Sequence, residues 1–236
     1  PFSTERGRGS LRALETTLKS IIRGENMGTD HETEAKLLAS AKSEFLEKGY
    51  AKASLRKICA NAGMTTGALY FFFKDKEDLF RSIVEKPFRE LLEMMKIHFA
   101  EDAQLFSESA DYVHAAGDHE ELVQLLIHHL YKNREAFLLL LTKSQGTAFE
   151  SCIDDVVEIM EQGYRAMAGN MAAKMTGKQI DPYMLHWMTH MNIDSFVHLL
   201  THETNEQSAM QHMQRIMDYL VKGWMELILT PVPDEK

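Results

Sequence analysis

Apolar residues recur at three- and four-residue steps along most of the chain, which is the spacing of amphipathic α-helices. Between residues 2 and 181 the only proline is Pro87, a distribution that favours long helices over a strand-rich fold. No convincing strand is present. Helices are predicted at about 32–48, 54–62 and 66–72, in a long fourth helix after Asp75, and at 102–115, 118–132, 133–146, 149–175, 182–203 and 206–229. The predicted fold is therefore all-α, with a small N-terminal head on a larger helical body.

Local signals divide the head into short helices. Gly49 is placed to end the first helix, and Ser54 is a good N-cap for the second. Gly63 lies in the turn 62–65 between the second and third helices, where it can adopt a positive φ at low cost. Two short helices joined by such a turn form a helix-turn-helix. Further along, Pro87 predicts a kink in the fourth helix or a new start near Glu85.

The third helix ends in three consecutive phenylalanines, Phe71, Phe72 and Phe73. Each helical step turns about 100°, so the three side chains span about 200°. One face of a thin helix cannot bury them all, and we expect at least one ring to point outward or to meet a partner. On a DNA-reading helix such a ring would contact a sugar-phosphate edge or a thymine methyl group.

Charge is distributed unevenly along the chain. The formal net charge is −9, which alone would argue against a nucleic-acid partner. However, the segment from Lys48 to Lys76 contains six basic residues and one acid, so the remainder is strongly acidic. A short basic segment on an acidic body is expected of a small nucleic-acid-binding head.

The segment from Ala35 to Val84 resembles the N-terminal domain of the TetR/AcrR family. The resemblance covers about 50 residues, and its motif is long and ordered. It is carried by Ala41-x-x-x-Phe45, Gly49-Tyr50, Ser54-Leu55-Arg56-x-Ile58, and Ala62-Gly63-Met64-Thr65-Thr66-Gly67-Ala68-Leu69-Tyr70-Phe71-x-Phe73-Lys74-x-Lys76-x-x-Leu79.

The resemblance implies a helix-turn-helix DNA-binding domain at 31–77 and a helical effector-binding and dimerisation domain at 78–236. Ser54 would donate to a phosphate while capping its helix, and Arg56 would reach a phosphate or a base edge. Tyr70 and Lys76 would contact phosphates, and Phe71 would pack on the sugar-phosphate edge. The expected DNA-contacting residues are Ser54, Arg56, Thr65, Thr66, Gly67, Tyr70, Phe71, Phe72 and Lys76.

Two positions depart from the family pattern. Phe72 stands where the family often has histidine, and Ala53 stands where it often has threonine. Both changes remove polar groups, which predicts a different operator or weaker anchoring to the DNA backbone.

The body is expected to supply a homodimer interface and an effector pocket. A two-fold dimer would read a palindromic double-stranded operator, and a small molecule would shift the population towards a conformation that releases it. The apolar stripes of the last two helices predict an interface at Met188, Phe196, Leu199, Met213, Met217, Leu220, Trp224 and Leu227. The alternative is that this stripe packs within its own monomer. Candidate pocket residues, most of which would be core in any helical bundle, are Met94, Met95, Phe99, Tyr131, Phe137, Tyr164, Met167 and Trp187.

Polar residues recur at four-residue steps in the helix predicted at 182–203: His186, His190, Asp194, His198 and His202. Two histidines at i and i+4 can chelate a metal. The row drifts by about 40° per step, so all five cannot meet one ion. A polar strip lining a pocket or an interface is the favoured interpretation, and neither a metal nor a cofactor is predicted.

Other features narrow the class of protein. Cys59 and Cys152 have no metal-ligand spacing and are expected to be reduced, buried thiols in a cytoplasmic protein. No apolar run is long enough for a membrane span, and the N-terminus lacks a secretory signal. Residues 1–30 are expected to be a tail outside the fold, with Met27 a possible natural start. No enzyme signature is present. A helical small-molecule carrier, a regulator without an effector and an activator remain open alternatives.

Overall fold

Helices account for most of the chain, as the spacing of the apolar residues predicts. The computed structural model describes residues 28–108, 117–175 and 177–232, so the expectation of an N-terminal tail falls largely outside the described residues. In chain order the elements are α1 (Gly28–Lys52), α2 (Leu55–Asn61), α3 (Thr66–Phe72), α4 (Lys76–Glu108), α5 (Gly117–Lys132), α6 (Arg134–Lys143), α7 (Cys152–Ala172), β1 (Lys178–Ile180), α8 (Pro182–His202), α9 (Glu206–Ile228) and β2 (Leu229–Pro231). The predicted all-α fold class is confirmed.

One compact unit combines the described residues up to Lys86 with Glu135–Glu150. Its core contains an aromatic cluster in which the rings of Phe45 and Phe80 meet edge to face, with centroids 5.2 Å apart. Tyr50 meets Phe80 in the same geometry at 5.4 Å. Such pairs stabilise by about 0.5–1.5 kcal/mol beyond their buried area. Other fully buried side chains of this unit include Leu37, Ala41, Ile58, Leu69, Leu79, Val84 and Leu139.

The first helix loses its regular geometry at Gly49, as predicted. Gly49 has φ 75° and ψ 159°, although helical hydrogen bonding resumes and extends to Lys52. A positive φ is accessible to glycine at low cost. The chain can therefore change direction here and present Ser54 as the start of α2.

The second unit combines Pro87–Arg134 with the chain from Ser151 onward. Helix α8 packs against α7 and α9, and α9 packs against α5. The hydroxyl of Tyr131 donates to the carbonyls of Leu199 (3.1 Å) and Glu203 (2.9 Å), which ties α5 to the end of α8. Two apolar clusters among its described residues are built on Met167, Ala168, Leu185, Met188, Ile228 and Leu229, and on Val123, Ile127, Leu199, Ala209 and Met213.

Two details differ from the sequence-based expectation. Helix α4 is continuous from Lys76 to Glu108, so it does not restart near Glu85, and it includes the first residues of the separate helix predicted at 102–115. The 21 residues after Pro87 include neither glycine nor proline, and buried Phe88, Met94 and Met95 offset the cost of proline in the helix.

The second difference is a small antiparallel sheet, in which Lys178 pairs with Pro231 and Ile180 with Leu229. Strands of three residues are too short to give a period-two pattern in the sequence. Among the described residues, no helix is long and apolar enough to cross a membrane. The domain boundary predicted at 77 and 78 stays a prediction.

Candidate nucleic-acid interface

A tight turn joins α2 to α3 in the helix-turn-helix arrangement. Gly63 has φ 72°, and the backbone N–H of Met64 donates to the carbonyl of Cys59 at 2.8 Å. A β-carbon at Gly63 would meet nothing within 4 Å. The glycine is therefore required by the backbone conformation rather than by lack of space, as predicted.

Side-chain hydroxyls cap both helices of the motif. Ser54 Oγ accepts from the N–H of Lys57 at 3.4 Å, and Thr65 Oγ1 accepts from the N–H of Ala68 at 3.2 Å. Each oxygen uses a lone pair for the cap, so its O–H remains available to donate to another acceptor. Ser54 and Thr65 are both exposed, and a phosphate oxygen is a suitable acceptor.

The aromatic residues at the end of α3 divide between surface and core. Tyr70 and Phe71 are 57% and 77% exposed, whereas Phe73 is buried. Phe72 is half-buried, and its ring meets that of Phe71 edge to face at 5.1 Å. The prediction that at least one phenylalanine points outward is confirmed. An exposed phenylalanine beside an exposed tyrosine on a short helix suits contact with nucleic acid.

The remaining predicted DNA-contacting residues of α2 and α3 lie on the surface. Arg56 is exposed near the start of α2, and Thr66 and Gly67 are exposed at the start of α3. The first N–H groups of a helix have no partner within the helix, so this end of α3 can approach an anion closely.

Lys76 has a role within the protein that the sequence did not reveal. Its Nζ donates to the carbonyls of Ala51 and Ala53, each at 3.2 Å, and lies 4.6 Å from the ring centroid of Tyr50. Burial lowers the pKa of Lys76. Lys76 therefore holds the end of α1, whereas the sequence predicted only a phosphate contact, and that contact stays a prediction.

Tyr50, beneath this ammonium group, is itself perturbed. Burial, followed by a hydrogen bond to Glu77, raises the pKa of Tyr50 to about 12. Glu77 also accepts from the N–H of Ala148 at 3.0 Å. The start of α4 is thus fixed within its unit by both of its first two residues.

Part of the basic segment is neutralised within the head. Lys57 pairs with Glu44 at 3.0 Å and with Glu47 at 3.6 Å, and Lys48 pairs with Glu47 at 2.7 Å. The sequence analysis missed Glu44, which is buried in α1. The signal available in the sequence was an acidic residue at a position of α1 that faces the core according to the helical spacing of the apolar residues.

The predicted effector pocket is only partly assembled. Phe99 and Tyr164 meet edge to face at 5.4 Å and pack against the cluster that contains Met167. Met94 and Met95 are buried, and Tyr131 is half-buried between α5 and α8. The structure groups Phe99, Tyr164 and Met167, whereas Tyr131 packs against the cluster that contains Val123 and Ile127. Trp187 is 44% exposed, and Phe137 is buried in the first unit.

The predicted dimer stripe needs correction. Met188, Leu199 and Met213 are buried in the core of a single chain. The apolar stripe of α8 and α9 is largely satisfied within the protomer, which is the alternative that the sequence left open. Leu220 is also buried, Phe196 and Met217 are half-buried, and the side chain of Trp224 lies outside the described residues.

Helices α8 and α9 nevertheless expose large apolar side chains. Tyr219 is 76% exposed and Leu227 is 38% exposed, and Tyr183 and Trp187 are exposed one turn apart on α8. Among the predicted interface residues whose side chains are described, Leu227 is the one that stands at the surface.

The histidine row of α8 forms pairs rather than one cluster. His186 bonds to Glu161 and meets His190 edge to face at 4.5 Å. His198 and His202 stack at 4.3 Å. Within the described part of the chain, no group of three or more histidine, cysteine or acidic side chains is arranged to hold a metal ion.

Comparison with known proteins agrees with this geometry. Residues 37–83 match the family model described as bacterial regulatory proteins, tetR family. The chain is 45% identical over 53 residues to the HTH-type transcriptional repressor BepR of Brucella suis, a match covering 22% of this chain and 25% of BepR. It is 44% identical over 54 residues to the HTH-type transcriptional regulator AcrR of Shigella flexneri, covering 23% and 25%. The matches thus span about a quarter of the length of these relatives.

The likeness over the rest of the chain is one of fold. A transcriptional regulator structure from Aquifex aeolicus superposes with a TM-score of 0.53 at 19% identity, covering 80% of this chain and 99% of that one. Residues 37–83 thus match the helix-turn-helix domain of the TetR family, and the described chain has the predominantly helical fold of a solved TetR/AcrR-type regulator. This confirms the resemblance found in the sequence.

Proposed function

We propose that the chain is a dimeric transcriptional repressor that binds operator DNA and is released by a small-molecule effector. The observation that carries the proposal is the exposed face of the helix-turn-helix. There, Ser54 and Thr65 leave their O–H groups available, and Tyr70 and Phe71 project from α3. BepR, which resembles this segment, is described as a repressor.

The contacts with DNA divide by type. Ser54, Thr65 and Tyr70 would donate to phosphate oxygens and fix the register of the head on the duplex. Arg56 would contact a phosphate or a base edge in the major groove, and Phe71 would pack on a sugar or a thymine methyl group. Thr66 and Gly67 let the start of α3 approach the backbone.

Two heads are needed to read a palindromic operator, with half-sites about one helical turn apart. The dimer would use the exposed apolar face of α8 and α9, including Tyr219 and Leu227. An operator-binding head at 31–77 and an effector-binding and dimerisation domain at 78–236 follow from the same proposal. A regulator of this kind works in the cytoplasm and needs no catalytic residues.

The effector site would lie beside Phe99 and Tyr164 in the second unit. Asn192 of α8 is buried, and its side-chain Nδ2 donates to the hydroxyl of Tyr164 at 3.0 Å. Its Oδ1 has no hydrogen-bond partner among the described residues. Phe99 and Tyr164 pack against a cluster that contains Met167 and Met188. Methionine adapts readily to different shapes, so a mainly apolar ligand carrying one hydrogen-bond donor fits best. Such a ligand acts by preferring a conformation that binds the operator less well.

Selection of binding sites from random duplex DNA with the purified chain tests the proposal. Enrichment of a palindrome with half-sites about one turn apart is the expected result. Failure to enrich any sequence at low salt would contradict the DNA-binding role, and the alternative of a helical small-molecule carrier would then be preferred.

A further inference from the structure

Glu44 is a buried carboxylate at the base of the helix-turn-helix. Its side chain is 3% exposed and comes from α1. Oε1 accepts from the backbone N–H of Ser54 at 3.3 Å, and Oε2 lies 3.0 Å from the Nζ of Lys57. Lys57 in turn donates its backbone N–H to Ser54 Oγ. Glu44, Ser54 and Lys57 therefore form a closed ring of hydrogen bonds.

This ring replaces a familiar device at helix starts. In a capping box the N-cap serine accepts from the N–H of the residue three positions on, and a glutamate at that position accepts from the N–H of the serine. Here the position three residues after Ser54 is Lys57, which has no acceptor. The carboxylate comes instead from Glu44 on the preceding helix, and Lys57 neutralises it.

Burying this carboxylate is costly unless its charge is paired. Glu44 accordingly raises the pKa of Lys57, chiefly through their hydrogen bond. The result is a fixed relation between α1 and the first residue of α2. The cap holds the Oγ of Ser54 at the exposed start of α2 and leaves its O–H available to donate to another acceptor.

We propose that Glu44 is a positioning residue of the DNA interface. It completes the capping of α2 from α1 and so orients the Ser54 hydroxyl towards the DNA backbone. The inference rests on the proposed function, because that function supplies the phosphate that Ser54 contacts. Glu44 itself, being buried, does not touch DNA.

A double-mutant cycle separates positioning from simple stabilisation. Operator affinity and thermal unfolding are measured for the full chain and for its Glu44→Leu, Ser54→Ala and doubly substituted variants. Glu44→Leu removes the acceptor of the residue-54 backbone N–H, and this loss should lower the melting temperature by a similar amount with serine or with alanine at position 54. In the chain with Ser54, Glu44→Leu should lower operator affinity about threefold or more. In the Ser54→Ala chain, the same substitution should hardly change operator affinity.

Glu47→Gln is the matched control. It removes an acid from the same helix, near the same lysine, but its carboxylate makes no bond to the Ser54 N–H. If only removal of negative charge mattered, Glu47→Gln and Glu44→Leu would both tighten operator binding. Opposite effects on affinity are expected instead.

A relocation variant provides the test if Glu44→Leu folds poorly. Glu44→Leu combined with Lys57→Glu places the carboxylate at its usual capping-box position, and it should restore folding and recover operator affinity. A folded relocation variant that binds no better than Glu44→Leu would overturn the inference, as would equal affinity losses in the two Ser54 backgrounds. If the unaltered chain binds no duplex at all, the proposed function itself fails, and the inference fails with it.

Discussion

Gly163 of α7 lies against the ring of Phe99 in the second unit. A β-carbon at this position would be 2.3 Å from both Cγ and Cδ1 of Phe99. Cγ of Phe99 is separated from the backbone of α4 by a single carbon, Cβ. The ring therefore cannot move aside without a change of rotamer or a shift of the helix. Gly169, six residues further along the same helix, would place its β-carbon within 4 Å of nothing.

The two glycines therefore predict different responses to alanine. Replacing glycine by alanine inside a helix stabilises by about 1 kcal/mol, and this gain applies at both positions. At Gly163 the extra methyl group also overpacks the core, which costs about 1–3 kcal/mol. Gly169→Ala should raise the free energy of unfolding by about 1 kcal/mol, and Gly163→Ala should lie about 1–3 kcal/mol below it.

Thermal unfolding followed by circular dichroism measures the difference, at about 2–4 °C for each kcal/mol in a chain of this size. In a Phe99→Ala background the clash disappears, and Gly163→Ala should then stabilise as Gly169→Ala does. Equal stabilisation by the two alanines in the unaltered chain would refute the packing described for Phe99.

Four further predictions concern the interface and the fold. Tyr70→Phe should weaken operator binding by about 1.5–3 kcal/mol, the net value of one hydrogen bond to a charged group, with unfolding unchanged. Lys76→Met should lower the free energy of unfolding by about 1–2 kcal/mol, because two carbonyls of the α1–α2 connection lose their donor. Burial lowers the pKa of His129, whose Nε2–H donates to the carbonyl of Pro87. The contribution of neutral His129 to the free energy of unfolding should therefore be fully present above about pH 6.5 and be lost as the pH falls below that value. Tyr219→Glu should give folded monomers by light scattering.

Each of these has a control or a contrary result. Lys74→Met changes an exposed neighbour of Lys76 and should leave unfolding unaltered. The loss of stability on acidification should be smaller in His129→Gln, and an identical pH profile would count against the assignment. A melting temperature lowered by Tyr70→Phe would mean that its hydroxyl serves the fold. Persistent dimers of Tyr219→Glu would move the interface elsewhere.

Features set by neighbouring residues were accessible from the sequence. Gly63 and Ser54 are determined by the turn and cap that they form, so their roles could be predicted without knowing the rest of the fold. The outward position of Phe71 followed from helical geometry alone, because three adjacent rings cannot share one face.

Features set by distant partners were not accessible. Lys76 donates to carbonyls 23 and 25 residues away, and no local pattern marks that relation. An apolar stripe likewise shows that one face of a helix is buried, but it does not show whether that face packs against the same chain or against a partner subunit. Met188 and Met213 were therefore assigned to a partner subunit, whereas the structure packs them within one chain.

The salt dependence of binding to the selected duplex tests the central claim most directly. Lys48 and Lys57 are paired with carboxylates and Lys76 with backbone carbonyls, so the exposed cations of the basic segment that remain for phosphate contacts are Lys52, Arg56 and Lys74. Two heads would then neutralise up to six phosphates, and the logarithm of the binding constant should fall against the logarithm of salt concentration with a slope of about −5. A slope near zero would contradict the proposal that this helix-turn-helix binds the DNA backbone.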